Sequence, residues 1–191
     1  MHESAQVKLD KIAQEIIDSN ICADLKSQAT QLVMGHGNLE ADMVIIGEAP
    51  GADEDEQGIP FVGAAGKFLN TMLESVGINR EDVYITNIVK YRPPKNRDPR
   101  KSEKAEFAPF LERELEIIKP KTIITLGAHS LNHFMPNSKI GDTHGKVMNI
   151  TLGGRPVALA SSYHPSYAAY GNNRQLLLDD FKQIADKIKL Y

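Results

Sequence analysis

Glu48, Phe61, Asn87 and His164 are the side chains in this sequence whose types and surroundings suit chemistry. Glu48 stands in Gly47-Glu48-Ala49-Pro50-Gly51, directly after the apolar run 43–46, where Gly47, Pro50 and Gly51 force a tight loop. The carboxylates Asp53, Glu54, Asp55 and Glu56 come next, and taken alone the segment reads as an acidic surface turn. Phe61 lies in Gly58-Ile59-Pro60-Phe61-Val62-Gly63, off any helical or strand stripe. An aromatic fixed in such a loop is either core or a platform for a flat ligand, and base-on-aromatic stacking is worth roughly 1–3 kcal/mol. Asn87 closes the run 83–86 and offers one acceptor and two donors, enough to read a pyrimidine edge, although an Asn there is more often a turn residue. His164 comes after the run 156–160 and precedes Pro165, which holds it extended in Ser161-Ser162-Tyr163-His164-Pro165-Ser166.

Other candidates are weaker. A phosphate loop is absent, because Gly63-Ala64-Ala65-Gly66-Lys67 is followed by Phe68 and lacks the leading glycine. His129 and His133 are four apart on an expected helix, a metal-binding spacing, but no third ligand of suitable type is evident and both read as structural or exposed. His144 falls in the turn Thr143-His144-Gly145. The stretch 90–104 carries seven Lys or Arg against Asp98 and Glu103, an excess of five positive charges in a chain of net charge −3. Lys90, Arg92, Lys95 and Arg97 would track nucleic-acid phosphates; the plainer reading is a solvated basic loop.

Positioning these groups requires strands alternating with helices. Runs with strand character fall at 43–46, 83–86, 122–126, 146–150 and 156–160. Helical patterns cover 64–76, 102–118, 128–134 and 172–190, and residues 5–33 read as one or two amphipathic helices with Leu9, Ile12, Ile16 and Ile17 at helical spacing. The expected fold is α/β: a three-layer αβα sandwich around a mainly parallel sheet of four to five strands, in one domain spanning 1–191. In such sheets ligands bind outside the carboxyl ends of the strands, where all four side chains fall.

With 191 residues, 41% apolar and 25% charged, the composition is that of an ordinary globular domain. No apolar run approaches the roughly 18 residues of a membrane span, and MHESAQVKLDK has no apolar signal region, so neither membrane nor export is expected. The single cysteine, Cys22, excludes an internal disulfide and any cluster held by four thiolates of this chain, and fits a reducing cytoplasm.

The ordered set of motifs resembles the family 4 branch of the uracil-DNA glycosylase superfamily. It comprises Gly47 to Gly51, Gly58 to Gly63, Tyr84-Ile85-Thr86-Asn87-Ile88-Val89-Lys90, Arg92-Pro93-Pro94 with Asn96-Arg97, Thr143-His144-Gly145 and Tyr163-His164-Pro165-Ser166. The departure is the family's four-iron, four-sulfur cluster. Its ligand positions fall at Asn20, Ala23, Tyr91 and Phe107, with Cys22 beside one of them. Tyr91 and Phe107 are therefore expected to meet and pack on the N-terminal segment, apolar contact replacing metal bonds. Also missing is the Arg/His-rich insertion of relatives that link covalently to uracil-DNA, so no covalent product is expected.

By resemblance, Phe61 stacks on an extruded uracil and Asn87 bonds its O4 and N3–H. His164 donates to O2, and Glu48 stabilises the sugar cation or orients water. In related enzymes the water-activating carboxylate lies one residue later, where this chain has Ala49; Glu54 is a second candidate, near the water or crowding uracil C5. Gly47, Ala49, Phe61, Glu54 and Asn87 would line the base pocket. Ser166 and Tyr167 would join the basic residues on DNA, with Tyr167 to Tyr170 filling the gap left by the base or simply packing. The partner is DNA, the state monomeric, and the chemistry requires no metal or organic cofactor. Two alternatives stay open: a glycosylase for hypoxanthine or xanthine, and a module that binds damaged or single-stranded DNA without cutting.

Overall fold

The computed structural model describes residues 3–188. Its strands are β1 (His36–Gly37), β2 (Met43–Gly47), β3 (Tyr84–Asn87), β4 (Thr122–Leu126), β5 (Lys146–Leu152) and β6 (Arg155–Ser162). They form one sheet in the order β1-β3-β2-β4-β6-β5. The four inner strands run parallel, and β1 and β5 are antiparallel edges. A mainly parallel sheet is thus present, with one strand more than expected. The extra one, β1, is two exposed residues, too short to leave a hydrophobic pattern.

Successive strand residues point to opposite faces, so the inner strands feed two cores. Val44, Ile46, Tyr84, Ile123 and Leu159 enter one, together with apolar residues of α1 (Ala5–Asp18), α2 (Ala23–Lys26) and α5 (Lys101–Ile118). Ile45, Ile85, Ile124 and Ala160 enter the other, against α4 (Ala64–Glu74) and α8 (Asn173–Ile188). This is the anticipated αβα sandwich. Helix α1 is capped by Ser4, whose Oγ accepts the Val7 N–H at 3.4 Å, and buries Leu9, Ile12 and Ile16. Ile17, assigned to the same stripe, faces out at 41% exposure. The expected end of α8 near Leu190 lies outside the described residues. Three short helices complete the set: α3 (Ala52–Gln57), α6 (Ala128–Phe134) and α7 (Ile140–Thr143). No helix among the described residues is long and apolar enough to cross a membrane.

One expectation is overturned. Lys90, assigned to phosphate contacts, is 0% exposed. Its ammonium donates to Glu114 of α5 and to Thr86 Oγ1. The Glu114 carboxylate also accepts from the Tyr84 hydroxyl at 2.7 Å, the Thr86 hydroxyl at 3.1 Å and the Gly35 N–H at 3.2 Å. A buried charge persists only when paired and hydrogen-bonded, and this network meets both conditions. The lysine is structural because its charge is already satisfied inside.

The aromatic contact expected from the missing cysteines is present. The rings of Tyr91 and Phe107 meet edge-on with centroids 5.9 Å apart, both buried, in the core that holds Leu9, Ile16, Cys22 and Leu25. Polar ties reinforce the junction: the Cys22 N–H donates to Glu106 at 2.6 Å, and the Cys22 thiol lies 3.7 Å from the Glu103 carbonyl oxygen. Burial and the nearby Glu106 push the Cys22 thiol up to about 12, so it is a neutral packing group.

These contacts set the cost of breaking them. Lys90→Met strands the Glu114 charge and should lower unfolding free energy by about 3–5 kcal/mol, whereas Lys95→Ala, on the exposed loop, should change it by under about 0.5 kcal/mol. Phe107→Ala should cost about 3–5 kcal/mol. Urea denaturation measures all three; an unchanged midpoint for Phe107→Ala and Tyr91→Ala together would mean that the aromatic pair does not hold the loop.

Candidate active site

The chain leaves β2 for β3 on one side and then crosses to β4 on the other, so a crevice opens at the carboxyl edge of β2. Gly47 and Asn87 are register partners at that edge, and His164 lies just beyond the end of β6. Between them lies a pocket of about 520 Å³ lined by Glu48, Ala49, Phe61, Asn87, Asn96 and His164 among others. Glu48, Phe61, Asn87 and His164, picked from the sequence at the strand mouths, and Ala49, implied by the resemblance, therefore share one cavity.

Phe61 holds its place through backbone geometry. Its φ is +54°, a left-handed conformation that costs a non-glycine residue about 1–3 kcal/mol and persists only where the surroundings enforce it. Two glycines make the room. A Cβ on Gly66 would collide with the Phe61 carbonyl, and one on Gly47 would run into the Phe61 ring and come within 2.5 Å of Asn87 Oδ1. Gly47 thus serves the pocket by being absent as a side chain. The Phe61 ring is 5% exposed, with its centroid 5.8 Å from that of His164.

Asn87 is 2% exposed, and its Oδ1 is a buried side-chain oxygen without a hydrogen-bond partner among the described residues. Leaving such an acceptor unpaired costs about 1–3 kcal/mol, and Asn87 lines the pocket.

His164 is tuned to be neutral. The Ser166 N–H donates to its Nδ1 at 3.3 Å, which leaves Nε2–H as the ring's free donor. The Ser166 hydroxyl is 2.8 Å from the same nitrogen, so Ser166 orients this ring. Burial lowers the imidazole from its ordinary 6.5 to about 4, with the Glu54 charge opposing only in part.

Glu54 has work of its own. The carboxylate run read as an acidic turn is helix α3, and Glu54 accepts the N–H groups of Gly51 at 3.1 Å, Val62 at 3.0 Å and Gly63 at 2.9 Å. Its oxygens brace the two loops that carry Ala49 and Phe61. Glu48, half-buried, lines the pocket and has no hydrogen bond to its carboxylate among the described residues. Burial holds Glu48 above the ordinary carboxylate range; Asp98 adds to that, while His129 and Lys104 oppose it.

Sequence reasoning missed the group beside Glu48. His129 Nε2 lies 3.4 Å from Asp98 Oδ2 and 3.9 Å from Glu48 Oε2. The rule that located the other groups, inspecting the residues just past the end of each strand, points to His129 when applied to β4. His133, its partner in the helical spacing, packs instead on Phe134 with ring centroids 4.8 Å apart. The ligand atoms of Glu48, Asp98 and His129 lie within 4.8 Å of one another, a metal-like cluster. Lys104 argues against that use: its ammonium, a pure donor, is 3.1 Å from His129 Nδ1, so Nε2 carries the ring proton and has no lone pair for a cation.

The basic loop is less free than its charge implies. Arg97 makes a two-pronged pair with Glu103 at 2.9 and 2.6 Å and also donates to the Asp98 carbonyl, so its fork is occupied and its charge neutralised. The same Glu103 accepts the Arg100 N–H at 2.6 Å and caps α5. Arg92 is half-buried and donates to Asn96 Oδ1 at 2.7 Å. Lys95, with φ +55°, is exposed. On the opposite rim, Tyr167 stacks on Tyr163 at 4.8 Å, and Tyr170 is 68% exposed.

These features describe a three-layer α/β protein with a polar-edged pocket at the mouths of its parallel strands. The sequence model of the uracil DNA glycosylase superfamily matches residues 34–189. The chain is 44% identical over 184 residues to the type-4 uracil-DNA glycosylase of Archaeoglobus fulgidus, covering 93% of this chain and 92% of that protein. It is 39% identical over 186 residues to that of Thermotoga maritima, covering 95% and 96%. A type-5 uracil-DNA glycosylase of Pyrobaculum aerophilum is 30% identical over 148 residues, covering 68% and 63%. The chain belongs to the uracil DNA glycosylase superfamily, and among the relatives compared it is most similar to type-4 members.

An iron–sulfur cluster does not fit this chain. Cys22 is the sole thiol, and Tyr91 and Phe107, at two of the ligand positions, fill the junction with buried rings.

The lowered pKa of His164 makes stability depend on pH. The unfolded imidazole takes a proton near 6.5 and the folded one only near 4, so the stability linked to it is whole above 6.5 and drains away as pH falls towards 4. His164→Gln should lose less stability over that window than the wild type in urea titrations at successive pH values. Equal losses would mean that His164 is not held neutral by the fold.

Proposed function

We propose that the chain is a monofunctional uracil-DNA glycosylase that hydrolyses the N-glycosidic bond of deoxyuridine in DNA, releasing uracil and leaving an abasic site for base excision repair. The observation that carries this reading is the unpartnered, buried amide oxygen of Asn87 beside the Phe61 ring. That oxygen accepts from uracil N3–H while the amide nitrogen donates to O4. Cytosine presents the opposite pattern and leaves both groups mismatched. The same reading makes the protein a cytoplasmic monomer built as one domain over residues 1–191.

Within a duplex the target nucleotide must be turned out into the pocket, at a cost of a few kcal/mol that falls for mismatched or single-stranded bases. Phe61 receives the base by stacking. As the C1′–N1 bond breaks, its electron pair leaves with uracil and the sugar becomes cationic. His164 supplies Nε2–H to O2 as a neutral donor, stabilising the anion without surrendering a proton. Ionised Glu48 stabilises the cation and orients the water that adds to C1′. The water's oxygen becomes the sugar hydroxyl, and the released proton leaves through Glu48 to solvent. Lys95 and Arg92, with Ser166 and Tyr167 on the opposite rim, contact phosphates and the strand around the extruded nucleotide. Nothing in these steps calls for a metal or organic cofactor.

Single-turnover base release from oligonucleotides containing uracil, thymine, hypoxanthine or xanthine, single- and double-stranded, tests the reading. Uracil should be released, with Asn87→Ala and His164→Ala each slower by about 10²–10³, the loss typical of one preorganised hydrogen-bond donor. Release of hypoxanthine or xanthine in place of uracil would move the substrate assignment. DNA binding without release of any base would make the chain a recognition module.

A further inference from the structure

We propose that His129, oriented by Lys104 and shared with Asp98, is a positioning residue that keeps Glu48 ionised and aimed into the pocket. The inference rests on the glycosylase reading above. Lys104 Nζ, on α5, approaches Nδ1 at 3.1 Å and, having only protons to give, places the ring proton on Nε2. Nε2 lies close to two carboxylates, 3.4 Å from Asp98 and 3.9 Å from Glu48. The three partners come from different parts of the chain: α6, the basic loop and α5. A single ring therefore sets how far the basic loop stands from the pocket carboxylate and how the negative charge beside it is shared.

The neighbours have opposite effects on Glu48. Asp98 disfavours a second negative charge nearby, while the Lys104 ammonium and the Nε2–H dipole of His129 favour it. Arg97 on the same loop is committed to Glu103, and Glu54 and His164 line the same pocket. Since Glu48 works as the carboxylate anion, the acid limb of the rate profile tracks its ionisation. Burial lowers His164 from its ordinary value and raises Glu48 from its own. Removing His129 must move the limb to higher pH, and removing the Asp98 charge must move it to lower pH. A purely structural role for these residues would slow release without shifting the limb in opposite directions.

The experiment is single-turnover uracil release from a single-stranded oligonucleotide from about pH 4.5 to 8. It compares wild type, His129→Leu, His129→Gln, Asp98→Asn and Lys104→Met. Expected shifts are about half a pH unit upward for His129→Leu and Lys104→Met, and downward by a similar amount for Asp98→Asn. His129→Gln, whose side-chain amide can reach the place of Nε2–H, should restore most of the wild-type profile. Far-ultraviolet circular dichroism and melting of each variant exclude misfolding. Uracil release by the wild type with unmoved limbs in His129→Leu and Asp98→Asn would overturn the positioning role. No release by the wild type at any pH would instead overturn the glycosylase reading.

Discussion

A lysine ammonium and a glutamate carboxylate, both sealed from water, tie the segment just past one strand to the last third of a long helix. The Lys90–Glu114 pair gathers Tyr84 and Thr86 from β3, Gly35 from the N-terminal segment and α5 around one carboxylate. Asn87 lies between Thr86 and Lys90 in the chain, so both flanks of the pocket amide are pinned by this network. The basic loop leaves from the same lysine, and its direction away from the sheet is set there. A buried pair of this kind is weak as a source of net stability, but removing either partner leaves an uncompensated charge. It therefore specifies one arrangement of β3 and α5 and penalises the alternatives.

The pocket itself depends on side chains being omitted. Phe61 occupies a left-handed backbone position and presses its carbonyl against α4 and its ring against the end of β2, tolerated only because Gly66 and Gly47 lack a Cβ. Glu54 then locks the two loops by accepting three backbone N–H groups. These constraints hold an aromatic face, an orphaned amide oxygen and a neutral imidazole around one cavity before any ligand arrives. Such preorganisation is what lets hydrogen-bond donors act on a developing charge without reorganising at the moment of reaction.

The junction between the N-terminal helices and the basic loop shows how one kind of constraint replaces another. Four metal–sulfur bonds are stiff and directional. Here Tyr91, Phe107 and the surrounding aliphatic side chains do the work by burial, with the Cys22 N–H to Glu106 bond adding direction. The polar ends of the loop are fixed separately, Arg97 and the start of α5 both being held by Glu103. The stretch that looks most charged in the sequence is thus largely folded into the protein's own electrostatics.

The sequence by itself determined the alternation of strands and helices, because two-residue and helical periodicities are local and survive in any context. It also determined the strand-mouth positions of Glu48, Phe61, Asn87 and His164, because Gly, Pro and Asn mark where strands end. The family resemblance, which places lost cluster-ligand positions at Tyr91 and Phe107, implied the aromatic pair. Only the tertiary structure decided what each charge faces. Lys90 reads as a phosphate contact until Glu114, 24 residues away, is brought beneath it. Arg97 reads as free until α5 delivers Glu103, Glu54 as a carboxylate near the water or crowding uracil C5 until α3 turns it onto backbone amides, and His129 as structural or exposed until α6 sets it beside Glu48 and Asp98. Residue type and local period are properties of a short stretch of chain, whereas the role of an ionisable group depends on its partners and its burial, which exist only once distant segments have packed.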